Sequence, residues 1–427
     1  MKRIALIVVV LAGGGALAFG LRDSPPLGPA QGFADTIVLR GLREPLSVAF
    51  ARNGRVFVAE KQGAVRVFPR LGSRVSTTWA DLGSRTFTLG DRGLFGLALE
   101  PSGDDAVYVL YTFDGPVDAT EPLGRERCPE LFKGGCVVSG RLSRLERGGR
   151  ETVLVAGWCQ QFASHGVGDL VLDEAGTLYA SGGEGASYER VDTGAPGDVC
   201  SDPRGEGGAL RAQDASTPGD PAGVSGSVIA VDAGARSHRL VAYGLRNPFR
   251  LASRPGSGEL WIGDVGSTRS DELDVVDGGG GGGPPNFGWP CYEGGAALGS
   301  YERAKLPICE SLYDAKSVTD PERVLGRDDE VVDRDGCGKG TQAISGLAFY
   351  RGGSYPARYR GALFFADFVR RCIWVALADE DGRPDTSRLE LFRRNVANPV
   401  KLVTGPGGDL YYLDFVGGAL HRLRYIG

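Results

Sequence analysis

The stretch GGDLYYLDFVGGALHRLRY, residues 407–425, holds two short apolar strands separated by glycine turns. The same order of turn, apolar strand, glycine-rich turn and second strand recurs along the chain. The other five copies are NGRVFVAEKQGAVRVF from Asn53, GDDAVYVLYTF from Gly103, AGTLYASGGEGA from Ala175, SGELWIGDVGS from Ser257 and YRGALFFADFVRRCIWVALAD from Tyr359. Six hairpin-like units predict an all-β, six-bladed β-propeller whose loops absorb the irregular spacing.

Composition and charge agree with a strand-rich globular chain. The 427 residues include 68 glycines, which favours many short strands joined by turns. The 48 basic and 53 acidic residues are interspersed and give a net charge of -5. Neither a nucleic acid nor a membrane surface is therefore indicated as the main partner.

The N-terminal residues have the pattern of an export signal. Lys2 and Arg3 precede an apolar run from Ile4 to about Phe19, which is shorter than the roughly 20 apolar residues that usually cross a bilayer. We predict a signal peptide or N-terminal anchor over residues 1–20, a linker over 21–33 and the propeller over 34–427. The mature protein is expected in the periplasm or outside the cell, with no membrane contact beyond that anchor.

Cysteine usage agrees with export. The eight cysteines form an even set without metal-binding C-x-x-C spacing, so four disulfides that staple the propeller loops are the simplest interpretation. Proximity in the sequence predicts the pairs Cys128–Cys136, Cys159–Cys200, Cys291–Cys309 and Cys337–Cys372.

A carboxylate follows the apolar strand in five of the six units. These residues are Glu60, Glu184, Asp264, Asp367 and Asp414. As a set they favour convergence on an axial cavity that holds a hard cation such as calcium. The alternative is that each carboxylate caps its own turn through backbone N–H groups.

Two further features suggest chemistry. Arg246 lies within one polar region with Asp264 and the segment from Asp271 to Asp274, which would suit a cation and an anionic ligand. His165 lies between glycine-rich segments just before a strand, where a neutral imidazole can act as a general base. The other histidines, His238 and His421, have polar or terminal surroundings and are interpreted as surface residues.

Several segments together resemble the glucose/sorbosone dehydrogenase family, the soluble quinoprotein sugar dehydrogenases. They are GLREPLSVAF from Gly41, GDRGLFGLALEP from Gly90, SHGVGDLVLDEAGTLY from Ser164, GLRNPFR from Gly244, GDVGSTRSDELDVV from Gly263 and NFGWPCYEG from Asn286. The resemblance covers most of the chain after about residue 40. It implies a six-bladed propeller that uses pyrroloquinoline quinone (PQQ) and calcium to oxidise a sugar, and that passes electrons to an external acceptor.

The resemblance also implies roles for individual residues. His165 would remove a proton from the sugar hydroxyl while hydride passes to the quinone, and Arg246 and Asn247 would contact the quinone oxygens. Calcium would be held by the main-chain carbonyls of Gly266 and Ser267. Three carboxylates would complete or shape the metal site: Asp264, Asp271 and Glu272.

The chain departs from the family where basic residues of the last two blades bind the carboxylates of the quinone. An arginine pair of the family corresponds here to the stretch around Asn398 and Val400, so Lys401 is the nearest cation. Arg370 or Arg371 would replace the lysine of the preceding blade, and Trp289 is the best candidate for stacking on a ring. The segments GDVG, from Gly263, and WPCYEG, from Trp289, are also similar to the branch of this family that resembles the propeller of hedgehog-interacting proteins.

Three functions remain open from the sequence. The first is an exported PQQ-dependent dehydrogenase that acts on an aldose or related polyol. The second is a catalytically silent, calcium-stabilised propeller that binds a carbohydrate or a protein. The third is a calcium-dependent hydrolase of the lactonase type, which requires side-chain carboxylates on the axis.

Overall fold

The structure is a computed structural model that describes residues 32–101, 103, 105–124, 128, 134–194, 200–217, 223–278 and 283–427. The predicted leader over residues 1–20, and the predicted linker up to residue 31, lie outside the described residues. No helix in the described part of the chain combines the length and the apolar character needed to cross a bilayer.

Short β-strands dominate the described residues. In chain order they are β1 (Phe33–Arg40), β2 (Pro45–Phe50), β3 (Val56–Glu60), β4 (Ala64–Phe68), β5 (Thr77–Asp81), β6 (Leu94–Leu99), β7 (Ala106–Phe113), β8 (Val138–Glu146), β9 (Glu151–Gln160), β10 (Val167–Leu172), β11 (Leu178–Gly182), β12 (Ser227–Asp232), β13 (Ser237–Ala242), β14 (Pro248–Ser253), β15 (Glu259–Asp264), β16 (Ser270–Asp277), β17 (Tyr292–Glu293), β18 (Ala296–Ala297), β19 (Arg323–Gly326), β20 (Ile344–Phe349), β21 (Leu363–Asp367), β22 (Cys372–Ala378), β23 (Pro384–Arg393), β24 (Pro399–Thr404), β25 (Leu410–Asp414) and β26 (Ala419–Tyr425). The helices are α1 (Gly299–Ala304), α2 (Pro307–Ala315) and the 3-10 helices Gly208–Ser216, Ala357–Tyr359 and Pro406–Gly408.

Within the described residues, six four-stranded antiparallel sheets form the blades of a propeller, which confirms the predicted fold class. Five blades follow the chain: β2-β3-β4-β5, β6-β7-β8-β9, β10-β11-β12-β13, β14-β15-β16-β19 and β20-β21-β22-β23. The sixth blade, β24-β25-β26-β1, closes the ring because β1 pairs with β26. Each of the six predicted sequence units supplies the second strand of one blade.

The innermost strand of every blade carries a register irregularity near its first residue. Five of the strands skip a single residue in the pairing with the second strand: Leu46, Phe95, Phe249, Ser345 and Val400. In β10 the irregularity falls between Val167 and Leu170. A bulge leaves its extra residue outside the ladder and redirects its side chain. We refer to these five skipped residues as the bulge residues.

Arg250 connects the inner strands across the propeller axis. It is completely buried on β14. Its Nε donates to the carbonyl of Val400 at 2.7 Å and to that of Ser345 at 3.2 Å, and Nη2 donates to the carbonyl of Leu46 at 3.4 Å. One guanidinium of the fourth blade therefore binds the bulges of three other blades.

A second buried pair supports this arrangement. Asp169, at the irregularity of β10, forms an ion pair with Lys401 on β24 and accepts the backbone N–H of Leu251 at 3.1 Å. Burial lowers the pKa of Arg250 to about 10, and the nearby Asp169 carboxylate opposes that shift. The charges at the axis therefore compensate one another in a region that excludes water.

The four disulfides join the pairs predicted from the sequence. They are Cys128–Cys136, Cys159–Cys200, Cys291–Cys309 and Cys337–Cys372, with Cα–Cα distances of 5.9, 5.8, 5.2 and 6.1 Å. The third ties the turn before β17 to α2. Disulfides of this kind are typical of proteins in oxidising compartments.

We predict that Arg250→Met reduces the free energy of unfolding by about 3–5 kcal/mol, because Asp169 and three carbonyls lose a buried cationic partner. Denaturant unfolding followed by tryptophan fluorescence would measure the loss. The exposed Arg388→Met on β23 is the matched control. An equal and small effect of both substitutions would contradict the role of Arg250 at the axis.

Candidate active site

A cavity opens on the propeller axis at the end where the inner strands begin. Much of its wall is apolar and comes from Leu46, Phe95, Val167, Phe249, Phe368, Val400 and Phe415. Four of these are bulge residues, so the bulges direct apolar side chains into the cavity. The polar part of the lining comes from loops. Those before the inner strands supply Asp91, His165, Arg246, Asn247, Arg327 and Gln342, whereas Lys61 follows β3 and Ser267 follows β15.

His165 lies in the loop before β10 and is held in a left-handed conformation with φ of 56°. A Cβ on Gly183 would lie 2.6 Å from the carbonyl oxygen of His165, so only glycine allows this close approach. His165 Nδ1 lies 2.7 Å from Glu184 Oε1. The other ring nitrogen, Nε2, therefore remains free for chemistry in the cavity.

Burial controls the protonation of this pair. It lowers the pKa of His165 well below its usual value, and the positive charge of Arg246 lowers it further. Burial raises the pKa of Glu184 to about 8, although Arg246 opposes that shift. The imidazole is consequently neutral at physiological pH.

The Arg-Asn-Pro turn is fixed by Asp264 at the end of β15. Its carboxylate accepts the backbone N–H of Arg246 at 2.9 Å and that of Asn247 at 2.6 Å. The Arg246 guanidinium donates through Nη1 to the carbonyls of Val265 and Gly266 at 2.9 and 2.6 Å. Its Nε is buried without a hydrogen-bond partner. Both side chains of the turn line the cavity.

The loop between β15 and β16 is stiffened by hydrogen bonds to carboxylates. Asp271 accepts the N–H of Gly266 at 3.1 Å and that of Ile344 at 2.7 Å. A Cβ on Gly266 would lie 1.6 Å from the carbonyl oxygen of Ser270, so glycine is required there. The Ser267 carbonyl accepts Arg327 Nη2 at 2.6 Å. Gly266 and Ser267 line the cavity, whereas Asp271 is buried behind them.

Three buried carboxylates meet between β15 and β16. Asp264 lies directly opposite Glu272 in the ladder, and Asp274 follows on the same face two residues later. Oxygen atoms of the three lie within 4.8 Å of one another. Both oxygens of Asp274 are buried without a hydrogen-bond partner. Burial raises the pKa of Asp264 to about 7, that of Glu272 to about 8 and that of Asp274 well above its usual value, and repulsion within the cluster adds to the shifts of Glu272 and Asp274.

The predicted convergence of five carboxylates on the axis requires correction. None of Glu60, Glu184, Asp264, Asp367 and Asp414 is among the described residues that line the cavity. Four of them accept backbone N–H groups of nearby loops: those of Arg43, Arg246, Ala343 and Gly417, at 2.9, 2.9, 2.8 and 2.9 Å. Asp367 and Asp414 accept N–H groups of the turns that directly follow them, as the turn-capping alternative predicts, whereas Glu60 and Asp264 bind the loop that enters the first strand of their blade.

Four of the proposed cofactor ligands lie outside the cavity lining. Trp289 is buried and packs against Tyr301, with the Arg246 guanidinium 5.3 Å from its ring centroid. Arg370 Nη2 donates to the carbonyls of Gly326 and Arg327 at 3.2 and 3.0 Å. The last two are also engaged: Arg371 Nε donates to the Val396 carbonyl at 2.9 Å, and Lys401 is the buried partner of Asp169.

Sequence reasoning missed several cavity residues. Glu184 was assigned to the axial set rather than to His165, although both belong to one segment joined by the hairpin of β10 and β11. Lys61 directly follows β3, a position shared with many solvent-exposed turns, and Asp91 lies in the long loop between β5 and β6. Arg327 had no sequence signal, because a long excursion separates it from the other units.

The sequence matches a protein family and a curated relative. The model of the family described as Glucose / Sorbosone dehydrogenase matches residues 42–421. Aldose sugar dehydrogenase YliI of Escherichia coli (strain K12) is 31% identical over 186 residues, which is 43% of this chain and 42% of that protein. The alignment thus spans less than half the length of that curated relative.

Two solved structures have the same fold. The PQQ-bound form of aldose sugar dehydrogenase from Streptomyces coelicolor is similar with a TM-score of 0.61 and 16% identity, covering 93% of this chain and 100% of that chain. The apo-form of the soluble aldose sugar dehydrogenase from Escherichia coli is similar with a TM-score of 0.62 and 17% identity, covering 92% and 99%. The fold and the family match over residues 42–421 agree, and the chain therefore belongs to the glucose/sorbosone dehydrogenase family.

Proposed function

We propose that this chain is an exported quinoprotein oxidoreductase that oxidises a hydroxyl group of an aldose or related polyol. The family supports a sugar dehydrogenase-type oxidoreductase. The proposal of a quinoprotein mechanism rests on one observation. The buried imidazole of His165 is hydrogen-bonded to Glu184 and lies beside Arg246 and Asn247 in one cavity.

His165 is suited to act as the general base. The base is competent when Glu184 is ionised, which its raised pKa of about 8 favours at alkaline pH. Nδ1 then donates its hydrogen to the Glu184 carboxylate, and the lone pair of Nε2 is available for the proton of a sugar hydroxyl. Glu184 then stabilises the imidazolium that results, as the carboxylate does in a catalytic triad. The apolar wall excludes water, which strengthens these interactions.

The cavity suits a flat, anionic cofactor such as PQQ. Phe95, Phe249 and Phe415 supply apolar surface for a ring system, and the unpartnered Nε of Arg246 supplies a donor for an oxygen. Arg246 and Asn247 would hold the ligand oxygens. When bound, the quinone would supply a two-electron acceptor for the hydride of the sugar, and an external acceptor would later reoxidise it.

Calcium suits the carboxylate cluster formed by Asp264, Glu272 and Asp274. Three carboxylates so close together in a buried site cannot all ionise without a counter-charge. The two unpartnered oxygens of Asp274 are hard ligands of the kind that calcium prefers. The carbonyls of Gly266 and Ser267 remain a second candidate, although each already accepts a hydrogen bond from a guanidinium.

Export is supported by the four disulfides, because such bonds persist in oxidising compartments. A metal-dependent hydrolase has less support. That function needs several carboxylates on the axis, and Asp91 is the one carboxylate among the described lining residues. A silent binding protein would keep the cavity but show no sugar-dependent electron transfer.

We predict that His165 stays neutral as the pH falls through the range in which free imidazole becomes protonated. Its pKa lies below the usual value, so protonation begins only at lower pH. The chain has three histidines, which makes a pH titration of the ring signals by NMR practical. The His165→Gln variant assigns its resonance, and a midpoint near 6.5 would contradict the buried, neutral base.

We predict that protein reconstituted with PQQ and calcium reduces an electron-accepting dye in the presence of an aldose. His165→Ala should lower kcat by roughly 10²–10⁴-fold, because it removes the proton acceptor. Glu184→Gln should lower kcat more than it raises KM, because it affects the orientation and charge of the base. Stoichiometric quinone binding without sugar-dependent reduction would instead identify a silent propeller.

We predict that calcium raises the melting temperature of the wild-type protein more than that of Asp274→Asn. At a calcium concentration 100 times the dissociation constant, the stabilisation would be about 2.7 kcal/mol. After a chelator removes calcium, Asp274→Asn should be at least as stable as the wild type, because the variant lacks a buried, unpartnered carboxylate. The exposed Asp381→Asn is the control, and identical calcium responses of all three proteins would rule out this cluster.

A further inference from the structure

We propose that Lys61 and Arg327 hold the anionic edge of the ligand in the axial cavity, in place of the basic residues that the family resemblance indicated on the last two blades. The inference deepens the proposed function and rests on it, because it assigns residues of this chain to the carboxylates of the proposed cofactor. It places an anion site between Lys61 of the first blade and Arg327 of the loop that follows the fourth blade.

The basic residues of the last two blades are engaged elsewhere. Lys401 is bound to Asp169, and both are almost completely buried. Arg370 does not line the cavity: its Nη2 donates to the carbonyls of Gly326 and Arg327, and its Nε and Nη1 are buried without a partner outside the lining. Moving either side chain into the cavity would leave a buried partner unpaired, which is costly.

Most of the wall formed by those blades is apolar, and two of its polar side chains, Gln342 and Ser345, already donate to the carbonyls of Leu325 and Pro399. Phe368 follows β21, Val400 is the bulge residue of β24 and Phe415 follows β25, and all three line the cavity. A carboxylate placed against this wall would lose water without gaining a hydrogen bond, which is unfavourable. The charged edge of an occupant must therefore point toward other parts of the lining.

Lys61 offers an available positive charge. It is 8% exposed, and its ammonium makes no hydrogen bond or ion pair with the described residues. Its backbone is fixed, since its N–H donates to Glu44 and its carbonyl accepts the N–H of Leu94, both at 3.0 Å. Burial lowers its pKa, the carboxylates of Glu44 and Asp91 oppose that shift, and a bound anion would oppose it further.

Arg327 offers a positioned guanidinium. Its Nη2 donates to the Ser267 carbonyl at 2.6 Å, which orients the side chain at the cavity wall. Its Nε is buried without a hydrogen-bond partner. A guanidinium anchored at one nitrogen and unpartnered at another is suited to receive a carboxylate oxygen.

The charge balance of the lining favours an anion. Lys61, Arg246 and Arg327 are cationic, whereas Asp91 is the one carboxylate among the described lining residues. Burial raises the pKa of Asp91 to about 6, and the positive charges of Lys61, Arg92 and Arg246 oppose that shift, so one negative charge faces the three cations at neutral pH. Three cationic side chains match the three carboxylates of the proposed quinone in number.

The test measures equilibrium binding rather than turnover. The calcium-loaded protein is titrated with PQQ, and separately with benzene-1,3,5-tricarboxylate, a flat and redox-inactive anion, by calorimetry. Its trimethyl ester serves as the neutral control. Lys61→Gln and Arg327→Gln should each weaken binding of both anions by roughly ten- to a hundredfold. The charge-matched controls, Lys339→Gln and Arg388→Gln, replace exposed residues outside the cavity lining and should change it less than threefold.

Conservative variants separate charge from folding. Lys61→Arg and Arg327→Lys should melt like the wild type and keep most of the affinity for the tricarboxylate. Unchanged affinity of PQQ in Lys61→Gln and Arg327→Gln would overturn the inference while the quinoprotein function stands. Residue-dependent binding of the tricarboxylate without binding of PQQ would support the anion site and reject the quinone. Binding of neither anion would overturn the inference.

Discussion

The Arg250 guanidinium at the propeller axis is the contact on which the arrangement of the inner strands depends. It donates to the bulge carbonyls of three blades other than its own. Blades of a propeller otherwise meet through apolar side chains, which resist separation but allow sliding. Directional hydrogen bonds from one buried cation fix the height of these strands relative to one another. The Asp169–Lys401 pair brings the third and sixth blades into the same network.

The candidate site is built directly on that frame. Three residues lie between Arg246 and Arg250, so the turn that contributes to the cavity ends where the axial strand begins. Asp264 fixes the same turn through two backbone N–H groups and also belongs to the carboxylate cluster. A cation bound to that cluster would therefore stiffen the turn that presents Arg246 and Asn247. Metal binding and ligand binding would then be coupled through one side chain.

The fold and the disulfides could be predicted from the sequence because both follow from local patterns. Alternating apolar strands with glycine turns identify the second strand of each blade, and short spacing identifies the cysteine pairs. The position of His165 was also readable, since it lies between glycines before a strand. The proposed anion site could not be predicted from the sequence, because Lys61 and Arg327 come from loops far apart in the chain. Lys401 is the opposite case. The sequence suggests a cation for the cofactor, but the fold places Lys401 beside Asp169, with which it forms a buried ion pair.

The bulges of the inner strands have a consequence for how such a protein can diversify. Each of Leu46, Phe95, Phe249 and Val400 reaches the cavity from a different blade and lies outside the ladder pairing of its strand. A change in size at one of these positions alters the shape of the cavity floor and leaves the blade faces untouched. Leu46, Phe95 and Val400 belong to one buried apolar cluster, Phe249 packs against it, and the ring centroids of Phe95 and Phe249 are 5.9 Å apart. Substitutions at these positions should therefore be coupled in their effects on stability. A new ligand shape would consequently require compensating changes in two or more blades at once.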